Sequence, residues 1–114
     1  MGFEETFLEY LRERHHSDAI ILDGDYITYA FHSDGYCFLA DTAVHSSRRG
    51  TGQFSKLFGM LVNKASENNC KSIYAKVWHK DPRMNDVLDL ARHLGFKVTS
   101  SDEHSITIDF DLGE

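Results

Sequence analysis

The sequence predicts a single α/β domain over residues 1–114, a mixed and mostly antiparallel sheet flanked by helices in the order α-β-β-β-α-β-α-β-β. Three observations carry that reading. Two short apolar runs are joined by Asp23-Gly24, and a third follows Ser33-Asp34-Gly35, which is the pattern of an antiparallel meander. A strand run, a glycine loop, a helical stripe and another strand run then succeed one another, so the chain crosses over and enters the sheet again. Finally, Ile106, Ile108, Phe110 and Leu112 alternate with Thr107, Asp109 and Asp111, the period of a half-buried strand.

Taken in order, residues 3–14 read as a helix with Phe3, Phe7, Leu8 and Leu11 on one side and acids in its first turn. Ala19 to Leu22 is a strand. Asp23-Gly24 suits a type I′ turn, because both residues tolerate positive φ, and Tyr26 to Phe31 is its partner. The third strand runs from Tyr36 to Val44. Phe54, Leu57, Phe58, Leu61 and Ala65 recur at helical spacing, placing a helix from about Gln53 to Glu67. Ser72 to Trp78 is a strand, with Ile73, Ala75 and Val77 on one face. Pro82, the only proline, is expected in the first turn of the next helix, whose apolar side is Met84, Val87, Leu88, Ala91 and Leu94. Gly95 stops it, and a strand near Lys97-Val98-Thr99 precedes the last one.

Composition narrows the function classes. A formal charge of −6 argues against nucleic acid as partner, since that needs a basic face. No apolar run approaches the roughly 20 residues of a membrane span, and the acids of Met1-Gly2-Phe3-Glu4-Glu5 stand where a secretory signal is basic. Cys37 and Cys70 form neither a disulfide framework nor a metal-ligand spacing, so no metal and a reducing cytoplasm are the expectation.

The chemistry concentrates at Arg49-Gly50-Thr51-Gly52-Gln53-Phe54, between the third strand and the long helix. A glycine turn feeding a helix N-terminus presents unpaired N–H groups and the positive end of the helix dipole, a place for phosphate. Gly50, Gly52 and Lys56 do not fit a P-loop. The plain alternative is a solvated polar loop capping a helix.

From Thr42 to Phe54 the sequence resembles the acyl-CoA signature of the GCN5-related N-acetyltransferases, a strand ending in Val and then Arg/Gln-x-x-Gly-x-Gly/Ala, with Arg49 in the first place and Gly52 as the central glycine. Leu94-Gly95-Phe96 looks like the helix ending in Leu-Gly-Phe that is the family's second hallmark, and the likeness covers roughly residues 19–112. Three departures stand out: Phe54 replaces the last Gly/Ala, Ala91 stands where many members carry a tyrosine that protonates the departing thiolate, and the family's usual first strand has no counterpart.

The resemblance implies an acyl-CoA N-acyltransferase fold and transfer of an acetyl group from acetyl-CoA (coenzyme A) to a primary amine, on a small molecule or a protein. The implied cofactor contacts are Thr42, Ala43 and Val44 along the pantetheine and Arg49, Gly50, Thr51, Gly52, Gln53 and Phe54 around the diphosphate. An alkylammonium of pKa about 10.4 is neutral in only about one molecule in 2,500 at pH 7, so a base or a water relay is needed. Asp41, His45 and His79 are the candidates, with His32 behind them. Tyr26, Tyr29, Tyr36 or Tyr74 could supply the missing phenol if one faced the cleft. His15-His16 point apart on a helix and read as no metal site. A degenerate fold serving as a binding or regulatory module, or an assembly or inhibitor protein, is the opposing reading. The sheet edge left by the missing first strand makes a homodimer an expectation.

Overall fold

The computed structural model describes residues 2–113; Met1, where the reading of the N-terminus begins, lies outside them, as does Glu114. The elements are α1 (Phe3–Tyr10), β1 (Asp18–Leu22), β2 (Asp25–Phe31), β3 (Tyr36–Ala43), α2 (Gln53–Glu67), β4 (Ser72–Trp78), α3 (Met84–Leu94), β5 (Lys97–Ser101) and β6 (Ser105–Asp111). The sheet order is β1-β2-β3-β4-β6-β5, antiparallel throughout except where β3 meets β4. Asp23 (φ 54°) and Gly24 (φ 84°) make the left-handed pair that closes the first hairpin.

Period-two alternation sends Ile27 and Tyr29, Cys37 and Leu39, Ile73, Ala75 and Val77, and Ile108 into one core. Leu57, Phe58, Leu61 and Ala65 of α2 and Leu88 and Ala91 of α3 join the same cluster. Both long helices therefore pack on one face of the sheet. Three rings fasten the corner where they meet: Phe58 lies 5.2 Å from Phe96 and 5.1 Å from Phe110, and Phe96 lies 5.5 Å from Phe110.

Among the described residues the opposite face carries only α1 and the π turn Leu11–His15 that continues it. The helix expected over residues 3–14 is there, closing in that π turn. Of the apolar side of this helix only Leu11 is buried, whereas Phe3 is 82% exposed. Phe7 rests its ring 5.1 Å from Tyr26 of β2, so the segment crosses one end of the sheet rather than sinking its whole stripe. The expectation that Pro82 lies in the first turn of α3 is corrected. The proline stands before α3, where Asp81 accepts the Arg83 N–H with its side chain (2.8 Å) and the Met84 N–H with its carbonyl (3.0 Å). That turn delays the helix to Met84.

Gly95 ends α3 with φ 110°, its N–H donating to the Ala91 and Arg92 carbonyls, and the Phe96 N–H also returns to Ala91. A Cβ at Gly95 would stand 3.3 Å from the Phe110 ring. Gly95→Ala should therefore cost about 1–2 kcal/mol of stability, the strain of a left-handed alanine. Urea unfolding measures it, and an unchanged midpoint would contradict this account of the cap.

Candidate active site

Two strands that begin paired and then part create the site. β3 and β4 pair in parallel only at Tyr36–Ser72, Cys37–Ile73 and Phe38–Tyr74. From Leu39 on β3 and Ala75 on β4 the two strands have no ladder to each other, although β3 stays paired to β2 and β4 to β6. The β2–β3 register shows why β3 turns away. Tyr29 faces Leu39 but Thr28 faces Asp41, so Ala40 is an extra residue, a β-bulge that bends its strand.

The glycine loop lies beyond the end of β3. His45 caps the 3-10 turn Ser46–Arg48, its Nδ1 accepting the Ser47 N–H at 3.1 Å. Gly50 (φ 77°) and Gly52 (φ 88°) then reverse the chain into α2. No protein atom lies within 4 Å of a Cβ built on either glycine, so it is the positive φ, not crowding by the protein, that demands glycine there. The first helical bond runs from the Lys56 N–H to the Gly52 carbonyl. The N–H groups of Gly50, Gly52, Gln53, Phe54 and Ser55 have no partner among the described residues. Thr51 differs, since its N–H and its hydroxyl both turn back to the Arg48 carbonyl.

What holds this loop in place is a buried carboxylate that the motif does not contain. Asp25, 2% exposed at the start of β2, accepts from Arg48 Nε at 2.6 Å, Arg48 Nη2 at 2.7 Å and the His45 N–H at 2.8 Å. The Arg48 guanidinium holds the Asp25 carboxyl well below the usual carboxylate range against the opposing effect of burial. Gln53 adds a second pin, its buried amide donating to the Leu22 carbonyl at 3.2 Å. Arg48 and the Gln53 side chain thus serve the loop's shape. Arg49 is exposed, with Nε on the Val44 carbonyl at 3.0 Å.

Two clefts adjoin the loop on the helix-bearing face. One, of about 210 Å³, lies among Arg49, Gly50, Gly52, Phe54 and Arg83, the last approaching from the start of α3. The other, of about 100 Å³, is apolar and lies among Leu39, Ala40, Ala75, Val77, Leu90 and Ala91. Phe54 and Leu90 line both, so they are contiguous: cationic at one end, apolar between the parted strands at the other. Phe54 is half-buried with its ring 6.2 Å from that of Phe58, so its side chain walls the cleft while also joining the core.

The structure scatters the three candidate bases. Asp41 follows the bulge on β3 and lines a different cavity, under α1. His45 has its ring committed to Ser47, and the ring of His79 holds the Asp102 carbonyl at 2.9 Å, in a cleft beside Trp78. None of Tyr26, Tyr29, Tyr36 and Tyr74 lines either loop-side cleft. Burial pushes the Tyr29 phenol up to about 12, and burial likewise pushes the Cys37 thiol up to about 12, so both stay protonated inside the core. Thr42, Ala43 and Val44 follow the free side of β3, with the Thr42 hydroxyl turned back to the Tyr26 carbonyl at 3.0 Å. Among the described residues no group of His, Cys, Asp and Glu is arranged to hold a metal ion, and no helix is long and apolar enough to cross a membrane.

The sequence matches no family model and no curated protein. Solved structures do share its fold. The whole chain superposes on 83% of Ard1 from Thermoplasma volcanium, with a TM-score of 0.73 at 15% identity. It is similar to the PaiA N-acetyltransferase from Thermoplasma acidophilum, solved with coenzyme A, over 97% of this chain and 80% of that one (TM-score 0.71, 11% identity). It also resembles nourseothricin acetyltransferase over 78% of its length, at a TM-score of 0.67 and 16% identity, and spans only 58% of that longer chain. The protein therefore has the acyl-CoA N-acyltransferase fold of the GCN5-related acetyltransferases.

Proposed function

We propose that the protein is an acyl-CoA-dependent N-acyltransferase that moves an acetyl group from acetyl-CoA to a primary amine. One coincidence carries the reading: five unpartnered amides at a helix start adjoin an apolar gap between two parted strands. A diphosphate suits the first, because the N–H groups and the helix dipole favour negative charge, with Arg49 and Arg83 beside them. A pantetheine arm suits the second, where the free side of Leu39 to Val44 offers amide partners as a neighbouring strand would. An N–H near Val44 would stabilise the oxyanion.

In the reaction the amine nitrogen attacks the thioester carbonyl. A C–N bond forms, the C–S bond breaks, the ammonium gives up its protons in forming the amide, and the thiolate takes one to leave as thiol. Asp41, next to the bulge beside which β3 and β4 part, suits the base role better than His45, whose Nδ1 is held by Ser47, or His79, which lines a separate cleft beside Trp78. With alanine at 91 and no tyrosine in the clefts, water is left to protonate the thiolate.

The test is thermal unfolding with acetyl-CoA, followed by thiol release with amines present. A ligand at 100 times its Kd should stabilise the fold by about 2.7 kcal/mol. No shift at millimolar acetyl-CoA would eliminate the proposal, while a shift without thiol release across an amine panel would leave a binding module. A reducing cytoplasm suits the two buried, unpaired thiols. A homodimer belongs to the same proposal, since β1 and β5 end the sheet in unpaired edges; light scattering showing only monomer at high concentration removes it.

A further inference from the structure

The bulge that parts the strands also opens the other side of the sheet. Under α1 and its π turn lies a cavity of about 440 Å³, walled by Phe7, Tyr26 and Phe38, with Ala40 and Asp41 on β3 and His15 at one end. Ala40 lines this cavity and the apolar cleft on the opposite face alike. The two spaces thus meet at the bulged residue of β3, beside the gap between β3 and β4.

Resting on the acyltransferase reading, we infer that this cavity receives the acyl acceptor, a primary amine carried on an apolar, ring-sized body. Three aromatic walls favour such a body and attract a cation across their faces. Among the described residues Asp41 is the only carboxylate lining the cavity. Its Oδ1 accepts the Thr42 N–H at 2.8 Å, and among the described residues no cation pairs with it, so Oδ2 is open to an ammonium. The His15 ring is engaged by the Tyr10 hydroxyl at 3.0 Å. A polyamine would bring a second ammonium and find no second acid in the lining.

Asp41 draws the ammonium in and accepts one proton from it. The freed lone pair attacks the thioester carbon presented through the gap at Ala40. As the C–N bond forms and the C–S bond breaks, the second proton leaves nitrogen to solvent and the thiolate is protonated by water.

Thiol release is measured with phenethylamine, spermidine and the peptide amide Phe-Ala-Ala, which separate a free apolar amine from an apolar N-terminus and both from a polycation. Phenethylamine or the peptide should exceed spermidine in kcat/KM by at least roughly tenfold, the scale of one well-filled apolar contact. Phe38→Ala should raise KM for the preferred amine, and Asp41→Asn should lower kcat, while acetyl-CoA still shifts the melting temperature in both. Acetyl-CoA binding with spermidine preferred overturns the acceptor inference and spares the acyltransferase reading. If acetyl-CoA does not bind, that reading fails, and amide NMR decides for the cavity alone. Phenethylamine shifting Tyr26, Phe38 and Ala40 supports it; no shift at millimolar amine overturns it.

Discussion

Gly52→Asp should abolish stabilisation by acetyl-CoA, with affinity falling by roughly a hundredfold or more, about 2.8 kcal/mol. Two effects act together. Residue 52 has φ 88° as the left-handed cap of α2, a conformation that an L side chain adopts only under strain. A carboxylate there would also face the position where five amides are proposed to meet a diphosphate, replacing attraction with repulsion. Gly52→Ala separates the two, because it carries the strain without the charge. Without ligand Gly52→Asp should unfold no lower than Gly52→Ala, since no protein atom crowds the added carbon and a helix start favours a carboxylate. Calorimetric titration with acetyl-CoA should then rank native above Gly52→Ala above Gly52→Asp. Equal affinity in all three would place the ligand elsewhere.

Asp25→Ala should be the most damaging substitution of a charged residue, in folding and in ligand binding alike. Removing this carboxylate leaves the Arg48 guanidinium and the His45 N–H without their partner and unties the loop from the β1–β2 hairpin. The Arg12–Asp18 pair provides the contrast, with side chains 60% and 37% exposed, and pairs of that kind contribute little. Asp25→Ala should therefore lower the melting temperature several times as much as Asp18→Ala. The linkage has a definite sign. The folded Asp25 carboxyl titrates below the unfolded value of about 3.9, so its contribution is complete above that pH and is lost as pH falls through the folded value. Asp25→Asn should flatten the acid side of the stability curve below about pH 4 and leave its slope near neutrality unchanged. An Asn variant as acid-sensitive as the native chain would show that the pair contributes nothing.

How legible these features were in the sequence depends on their range. The bounds of α2 and the end of α3 follow from the stripe through Phe54 to Ala65 and from Gly95, because a 3.6-residue period and a left-handed stop are local signals. The Asp23-Gly24 turn is local too. The bulge at Ala40 was hidden, since alanine carries no conformational mark and only the partner strand's register reveals the extra residue. Asp25 and Arg48 lie 23 positions apart and meet only after the hairpin folds beside the loop. A trace was present nonetheless. Alternation through Ile27 and Tyr29 places Asp25 on the inward face, and an inward carboxylate requires a cation. Arg83 reaches the loop from the start of α3, and the cavity under α1 gathers residues from α1, its π turn, β2 and β3, so neither had a sequence signature.

Amide NMR during a titration with coenzyme A puts the central idea to the most direct test. The largest shifts should fall on Gly50, Gly52, Gln53, Phe54 and Ser55 and continue along Leu39 to Val44 on β3 and Ala75 to Trp78 on β4. Shifts confined to other surfaces, or none at millimolar coenzyme A, would contradict it.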